Sequence, residues 1–329
     1  MKKFDLAYED IVSVENLLEA WREFLRGKRG KRDVQEFGLG LMDNILLLHN
    51  ELVNQTYGHG GYTAFNISDP KPRNIHKASV RDRLLHHAVY HQLYPFFDKL
   101  FIADSFSCRL GKGTHRAINR FRALTYKVSR NNTRTVWILK CDVKKFFANI
   151  DHEVLLKILV KHIDDQETIG LLREIVTSFY TARPGVGLPL GNLTSQLLVN
   201  IYMNEFDQYM KHGLRVRYYI RYADDFVVLS CDKEWLVDLA RKIEEFLGDK
   251  LKLELHPNKV FTKTLVSGVD FLGWVNFPDH RVLRTATKRR MFARLKIDSR
   301  EEVMNSYLGL LKHGNASRIK TNLLRIYQK

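Results

Sequence analysis

Two adjacent carboxylates, Asp224 and Asp225, lie inside the otherwise largely apolar and aromatic segment of residues 220–229. Charges placed among β-branched and aromatic strand residues are unfavourable unless a cation balances them. A divalent metal ion is the simplest such cation, because hard cations prefer carboxylate oxygen as a ligand. The pair therefore indicates metal-dependent phosphoryl-transfer chemistry.

A third carboxylate, Asp142, lies near the end of a separate β-prone segment over residues 135–143. Residues 216–230 predict a β-hairpin with the acidic pair at its tip, because Asp favours turns. If Asp142 and Asp224 lie side by side in one sheet, the acids can hold two magnesium ions about 3.5–4 Å apart. Two such ions activate an attacking hydroxyl and stabilise a leaving pyrophosphate. Taken alone, Asp142 is better explained as a helix-capping or surface acid. Only together with Asp224 and Asp225 does a role at a functional site become the better explanation.

The composition is that of a basic globular protein. With 45% hydrophobic residues in 329, the chain can bury one large or two moderate cores. It carries 53 Lys and Arg against 37 Asp and Glu, and this net charge of +16 favours a polyanionic partner such as nucleic acid.

The cysteines and the apolar runs predict where the protein resides. Cys108, Cys141 and Cys231 are too scattered for a disulfide framework or a zinc site, which predicts a reducing, cytoplasmic setting. The first ten residues lack the apolar core of a signal peptide, and no apolar run approaches the roughly 20 residues of a membrane span. A soluble protein without a membrane partner is expected.

Helical periodicity predicts helices over residues 14–25, 41–52, 79–100 and 197–213. A strand is predicted over residues 62–67, after a glycine-rich turn. A basic, glycine-containing run, residues 26–32, either contacts phosphates or forms a solvated loop. His86, His87 and His91 are interpreted as structural, because no cysteine or carboxylate accompanies them at metal-ligand spacing.

The sequence motifs carry a family resemblance. Tyr222-Ala223-Asp224-Asp225 resembles the signature hairpin of reverse transcriptases, and Asp142 followed five positions later by Phe147 resembles their first catalytic motif. Further segments resemble the bacterial, group II intron-like enzymes in the same order: Lys71-Pro72-Arg73, residues 80–83, residues 105–114, His256-Pro257-Asn258-Lys259 and Phe271-Leu272-Gly273-Trp274. The matches extend over about residues 60 to 290.

The resemblance implies a role for individual side chains. It implies metal ligands at Asp142, Val143, Asp224 and Asp225, nucleotide-binding residues at Lys71, Arg73, Phe147, Leu190, Gly191 and Gln196, and a primer grip at Phe271, Leu272, Gly273 and Trp274. Phe147 is expected to exclude the ribose 2′-hydroxyl, and Arg73 to clamp the triphosphate. Lys259 is expected to protonate the leaving pyrophosphate, with a surface cation as the open alternative. The implied cofactor is two Mg²⁺ ions, with Mn²⁺ as a possible substitute.

The implied fold is an α+β right-hand polymerase with fingers, a palm of antiparallel sheet backed by helices, and a short helical thumb. The expected ranges are residues 1–130 for the fingers with an N-terminal helical extension, 131–285 for the palm with a fingers-associated insertion at about 153–190, and 286–329 for the thumb. The implied partners are a template RNA, a primer or cDNA, and dNTPs.

One departure from the family pattern suggests a subtype. Most reverse transcriptases carry Gln-Gly-x-x-x-Ser-Pro, whereas this chain has Leu190-Gly191-Asn192-Leu193-Thr194-Ser195-Gln196, which resembles the enzymes of diversity-generating retroelements. Those enzymes copy a template-repeat RNA with errors at adenines, and a small basic accessory protein is an implied partner. Leucine lacks the hydrogen bond that glutamine gives the incoming nucleotide, and losing roughly 0.5–1.5 kcal/mol relaxes base selection about tenfold.

Other readings stay open. A phage-defence-associated or group II intron-derived bacterial reverse transcriptase is the nearest alternative. A two-metal nuclease would also gather acids around magnesium, but it would not require Phe147 or Lys259. A non-enzymatic RNA-binding protein is disfavoured by the presence of Asp142, Asp224 and Asp225.

Overall fold

The computed structural model describes residues 2–5, 7–68 and 72–327. The helices are α1 Tyr8–Val12, α2 Val14–Phe24, α3 Arg32–Leu39, α4 Leu41–Val53, α5 Val80–Asp98, α6 Thr114–Ser129, α7 His152–His162, α8 Gln166–Thr177, α9 Leu193–Gln208, α10 Lys233–Leu251, α11 Thr285–Ile297, α12 Glu301–Leu311 and α13 Ser317–Tyr327. The strands are β1 Tyr62–Ile67, β2 Arg73–Ala78, β3 Trp137–Asp142, β4 Tyr219–Tyr222, β5 Asp225–Ser230, β6 Phe261–Thr264, β7 Val269–Phe271, β8 Trp274–Asn276 and β9 Arg281–Leu283.

The chain divides into two compact units. Unit 1 comprises the chain up to Ala103, Val143–Arg215 and Glu245–Glu254. Unit 2 comprises Asp104–Asp142, Val216–Glu244 and the chain from Leu255 onward. The predicted ranges of fingers, palm and thumb stay a prediction, because this division rests on contacts within the chain rather than on family anatomy.

Unit 1 is mainly helical, and α5 lies at its centre. Ser79 caps the start of α5, where its hydroxyl accepts a hydrogen bond from the Asp82 amide at 3.1 Å. The helix buries Leu84, Leu85 and Leu93, and it packs against α2 and α9. Before α5, strands β1 and β2 form an antiparallel hairpin.

In unit 2, antiparallel strands form a sheet in the order β4-β5-β3-β6. β-Branched and aromatic residues favour this pleated arrangement, and one face buries Ile138, Val227 and Leu229 against α6. A second antiparallel sheet, β7-β8-β9, adds Phe271 and Trp274 to the same core. The sheets thus place both predicted catalytic strands and the predicted primer grip in one unit.

The fold class is confirmed as a mixture of helices and antiparallel sheet, with some local differences from prediction. Helix α3 was not predicted, since Val34 is its only buried side chain among the described residues and leaves little periodic signal. Residues 285–297, at the start of the predicted thumb, form the basic helix α11. In the part of the chain that the structure describes, no helix is both long enough and apolar enough to cross a membrane.

Candidate active site

The register of strands β3 and β5 places Asp142 directly opposite Asp225. Opposite residues of an antiparallel pair have Cβ atoms roughly 4.5–5.5 Å apart, so both carboxylates project from one face of the sheet. The prediction paired Asp142 with Asp224 instead, and in this detail it was wrong. Ala223 and Asp224 form the turn, and Asp225 is the first residue of β5, so the acidic pair straddles the end of the hairpin.

The turn that carries Asp224 has a constrained backbone. Ala223 has a φ of +54°, in the left-handed region that side chains other than glycine rarely adopt. Arg221, whose side chain is fully buried, donates a hydrogen bond from Nη1 to the Ala223 carbonyl oxygen at 3.1 Å. This contact braces the turn from within β4. Strained backbone held by its surroundings is common at functional sites.

Two lysines balance the carboxylates. Lys259 Nζ lies 2.7 Å from Asp142 Oδ1, and Lys140 Nζ lies 3.4 Å from Asp225 Oδ2. The turn that carries Lys259 is itself fixed to β3, because the His256 amide donates to the Asp142 carbonyl oxygen at 2.8 Å. The structure therefore brings Lys259 to the acids, while its predicted role as a proton donor stays a prediction.

The burial of Asp225 affects its ionisation. Burial, together with the charges of Asp224 and Asp142, raises the pKa of Asp225 to about 7, against the opposing effect of the Lys140 ammonium group. Asp225 Oδ1 is buried without a hydrogen-bond partner. A buried carboxylate oxygen in that state is costly, which makes it a ready ligand for a cation.

The acids suit a hard divalent cation by their donor type. Three carboxylates and no sulfur or imidazole ligand are what Mg²⁺ or Mn²⁺ prefers. Within the described residues, however, no three histidine, cysteine or carboxylate side chains are already gathered into a complete metal site. Mg²⁺ usually takes one or two protein carboxylates and completes its shell with water and substrate phosphates, so a site of this kind does not require a complete set of protein ligands.

The predicted primer-grip residues form the β7–β8 hairpin. Phe271 pairs with Trp274, and both side chains are buried. Leu272 and Gly273 have φ values of +51° and +86°, so both central residues are left-handed, as a type I′ turn requires. Glycine is the usual residue at such positions, whereas Leu272 is there at a cost. The tip of the hairpin is therefore a constrained turn that follows directly on the buried pair Phe271 and Trp274.

In unit 1, the predicted nucleotide-binding segment is attached to strand β2. The Leu190 carbonyl oxygen accepts a hydrogen bond from the His76 amide at 3.0 Å, and Asn192 Nδ2 donates to the His76 carbonyl oxygen at 3.0 Å. Gly191, between them, has a φ of +108°, and a Cβ there would lie 2.8 Å from Ile75 Cγ2. Only glycine allows the loop to approach the strand this closely.

Gly191 and Gln196 line a cavity of about 320 Å³ in unit 1. Lys28, Lys77 and Arg83 contribute positive charge to its wall. Aromatic, aliphatic and further polar residues complete the lining: Phe24, Phe65, Ile75, His86, His87, Asn192 and Leu193. A basic pocket with aromatic walls suits an anionic, planar ligand such as a nucleotide.

The remaining predicted residues lie in unit 1. Arg73 is exposed at the start of β2, Val143 is buried directly after Asp142, and Phe147 is half-buried with its ring centroid 5.6 Å from that of Phe146. The structure therefore assigns these side chains to unit 1 and the three acids to unit 2. Lys71 lies outside the described residues.

An antiparallel sheet that presents opposed acids beside a strained acidic turn is the core expected of a nucleotidyl-transferring polymerase. A family model described as reverse transcriptase (RNA-dependent DNA polymerase) matches residues 68–275. This match covers more than half of the chain, and the chain belongs to that family.

Particular relatives extend the comparison. Protein YkfC of Escherichia coli is 26% identical over 271 residues, covering 70% of this chain and 68% of YkfC. The group II intron-encoded protein LtrA of Lactococcus lactis is 23% identical over 287 residues, covering 67% of this chain and 46% of LtrA. The chain thus spans less than half the length of LtrA. A solved structure of apo telomerase from Candida tropicalis superposes with a TM-score of 0.48 at 12% identity, over 71% of this chain and 57% of that one.

Sequence reasoning missed Lys140. It lies two residues before Asp142 in β3, so strand alternation places both side chains on one face of the sheet. That alternation was available in the sequence, but a lysine in a strand carries no chemical signal until its partners are known. The partners, Asp225 and the backbone of Asp270, come from distant parts of the chain.

Proposed function

We propose that this protein extends a primer along an RNA template, as an RNA-directed DNA polymerase that uses two-metal nucleotidyl transfer. The observation that carries the proposal is the register that sets Asp142 opposite Asp225, beside the Asp224 turn. Family membership supports the same reaction class. Template RNA, primer or cDNA, and dNTPs are the proposed substrates.

The proposed metal ligands are Asp142, Asp224, Asp225 and Val143, of which Val143 has only its backbone carbonyl to offer. When bound, Mg²⁺ activates the primer 3′-hydroxyl and offsets the negative charge that develops on the pyrophosphate. Mn²⁺ has the same ligand preference and is a possible substitute. The opposed carboxylates Asp142 and Asp225 concentrate negative charge on one face of the sheet, which a divalent cation would offset together with Lys259 and Lys140.

Other side chains act directly on the substrates in this proposal. Lys259 holds a proton at Nζ that can pass to the leaving pyrophosphate. Arg73, with Lys71, binds the triphosphate, for which a planar guanidinium is well suited. Phe147 occupies the space that a ribose 2′-hydroxyl would need. Residues 271–274 hold the primer end, and the basic helix α11 holds the duplex through its phosphates.

A primer-extension assay tests the reaction. Purified protein, an RNA template with an annealed DNA primer, dNTPs and Mg²⁺ should give extended DNA. Asp142→Asn and Asp225→Asn should each lower the rate about a hundredfold or more, whereas Asp279→Asn, at an exposed acid, should not. Template cleavage without extension would identify a nuclease instead, and binding without either reaction would identify an RNA-binding protein.

We further propose that synthesis is error-prone at template adenines, as in a diversity-generating retroelement. Leu190 supports this, because its half-buried aliphatic side chain cannot hydrogen-bond an incoming nucleotide. The loop that carries it is fixed to β2 by the Leu190 and Asn192 hydrogen bonds, so the side chain is held in a defined place. A small basic accessory protein is the proposed partner.

Replacement of Leu190 with Gln tests this subtype. Misincorporation opposite template adenine should fall about two- to tenfold in Leu190→Gln, because one hydrogen bond of roughly 0.5–1.5 kcal/mol is restored. Leu39→Gln is the matched control, since it makes the same change at an exposed leucine that does not line the cavity. Unchanged misincorporation in Leu190→Gln would discredit the role given to Leu190 and leave the polymerase proposal intact.

A group II intron-derived enzyme is the second candidate, and the similarity to LtrA favours it. A phage-defence-associated enzyme is a further possibility within the same family. The genomic surroundings separate these readings: a repeat pair that differs at adenines indicates diversification, and a flanking intron RNA indicates the intron. Binding of the RNA, from whichever source, should weaken with salt because the chain carries a net charge of +16.

A further inference from the structure

Lys140 is a largely buried cation with two acceptors in different parts of unit 2. Its side chain is 12% exposed, and its Nζ lies 3.4 Å from Asp225 Oδ2, a carboxylate that is itself 19% exposed. The same Nζ donates a hydrogen bond to the Asp270 carbonyl oxygen at 2.8 Å. A buried ammonium group is costly unless it is paired and hydrogen-bonded, so both acceptors hold it in place.

The geometry of β3 explains why this lysine reaches Asp225. Lys140 and Asp142 lie two residues apart on one face of the strand, about 6.6 Å along it. Asp225 is opposite Asp142, and it therefore lies diagonally from Lys140 across the β3–β5 pair. Diagonal neighbours are within reach of long side chains, and lysine spans that distance.

The second acceptor connects Lys140 to the predicted primer grip. Asp270 is the central residue of β7, directly before Phe271. The Asp270 carboxylate accepts a hydrogen bond from Arg284 Nη1 at 2.6 Å, and the Arg284 amide donates to the Gly273 carbonyl oxygen at 3.1 Å. Arg284 immediately precedes helix α11. A continuous set of contacts thus runs from Asp225 through Lys140 to the β7–β8 hairpin and the start of α11.

We propose that Lys140 is a positioning residue that fixes the Asp225 carboxylate relative to the β7–β8 hairpin. Its ammonium group fixes the orientation of the Asp225 carboxylate opposite Asp142 and holds β7 at a set distance from the acids. A primer end that rests on the hairpin is then aligned with the carboxylates before any nucleotide arrives. This inference rests on the proposed polymerase function, in which residues 271–274 hold the primer.

Polymerase kinetics provide the first test. In single-turnover assays, Lys140→Met should lower the incorporation rate about tenfold, since small misplacements of reacting groups have effects of this size or more. The dissociation constants for primer–template and dNTP should change by no more than about twofold, because Lys140 contacts neither. Lys140→Arg should recover part of the rate, and Lys263→Met, an exposed lysine of β6, is the matched control.

A double-mutant cycle on stability provides a readout that does not depend on activity. Unfolding is measured without divalent metal for wild type, Lys140→Met, Asp225→Asn and the double variant. If the two substitutions acted independently, their effects on the unfolding equilibrium constant would multiply in the double variant. The measured constant should differ from that product by at least about fivefold, or about 1 kcal/mol, because the two groups are in contact. If Lys140→Met does not fold, Lys140→Gln replaces it, since glutamine can donate to the Asp270 carbonyl but carries no charge.

The outcomes separate this inference from the function on which it rests. A wild-type rate in Lys140→Met, or independent effects in the cycle, would overturn the positioning role while wild-type extension still supports the polymerase. A weaker primer–template complex with an unchanged incorporation rate would also overturn it, because that pattern describes a contact with nucleic acid. The predicted loss of rate together with the predicted coupling supports it.

Discussion

Gly191→Ala should destabilise unit 1 through two separable effects. The φ of +108° lies in a region that essentially only glycine occupies, and forcing alanine into it costs about 1–3 kcal/mol. The added Cβ would also lie 2.8 Å from Ile75 Cγ2, and overpacking of this kind costs about 1–3 kcal/mol. The loop cannot move away cheaply, because the hydrogen bonds of Leu190 and Asn192 hold it against His76. Together the two effects amount to about 2–6 kcal/mol.

Substitutions at Ile75 separate the two effects. Ile75→Ala removes the Cγ2 atom that the new methyl group meets, whereas Ile75→Val retains Cγ2 and removes only the outer methyl. In the Gly191→Ala background, Ile75→Ala should therefore recover about 1–3 kcal/mol relative to additive effects, and Ile75→Val should not. The backbone contribution remains in every variant that carries the Gly191→Ala substitution.

Urea denaturation, followed by circular dichroism, measures the free energy of unfolding of each protein. The proteins are wild type, Gly191→Ala, each single Ile75 variant and each double variant. Equal recovery by Ile75→Val and Ile75→Ala would show that the contact with Cγ2 is not the cause. Wild-type stability in Gly191→Ala would refute both contributions and with them the close approach of the loop to β2. If the loop serves nucleotide binding as proposed, the KM for dNTP should rise in Gly191→Ala and fall again with Ile75→Ala.

Two further predictions concern a buried histidine and the proposed sugar selection. Burial, with the neighbouring His59 ring, lowers the pKa of His86 to about 3, so the folded protein holds fewer protons than the unfolded chain below pH 6.5. The free energy of unfolding should therefore fall as the pH drops, by about 2 kcal/mol from pH 7 to pH 5. In thermal unfolding, His86→Leu should remove this pH-dependent contribution, whereas His212→Leu, at an exposed histidine, should not. Phe147→Ala should let the enzyme incorporate ribonucleotides in primer extension, and Phe146→Leu, at the neighbouring buried ring, should keep the preference for deoxynucleotides.

The catalytic strands could be predicted because their signals are local. Alternation and β-branched residues mark β3 and the β4–β5 hairpin, and acids in such segments are conspicuous. The pairing of Asp142 with Asp225 could not be predicted, because it depends on the register between β3 and β5, two strands far apart in the sequence with no local signal that fixes their alignment. Sequence signals place strands more reliably than they set register.

The contacts around His86 could not be predicted from local sequence signals. The sequence indicated that the histidines near 86 are structural, but it could not supply their partners. His86 Nε2 lies 3.1 Å from His59 Nε2, and Tyr57 donates a hydrogen bond to Asp82 at 2.8 Å in the same buried group. These contacts join the loop after α4 to the first turns of α5. Partners of this kind are set by the fold, and no periodic pattern records them.

The two lysines at the acids differ in a way that fits different tasks. The Lys259 side chain is 42% exposed and sits on a turn, whereas the Lys140 side chain is 12% exposed within a strand. Lys259 can leave its partner more easily than Lys140 can, because its side chain is more exposed and water can replace the ion pair. Lys140 is held more firmly, since the Asp270 carbonyl also accepts its hydrogen bond and its side chain has little access to solvent. Lys259 is therefore suited to move with the substrate and deliver a proton, while Lys140 stays in place and keeps Asp225 aligned.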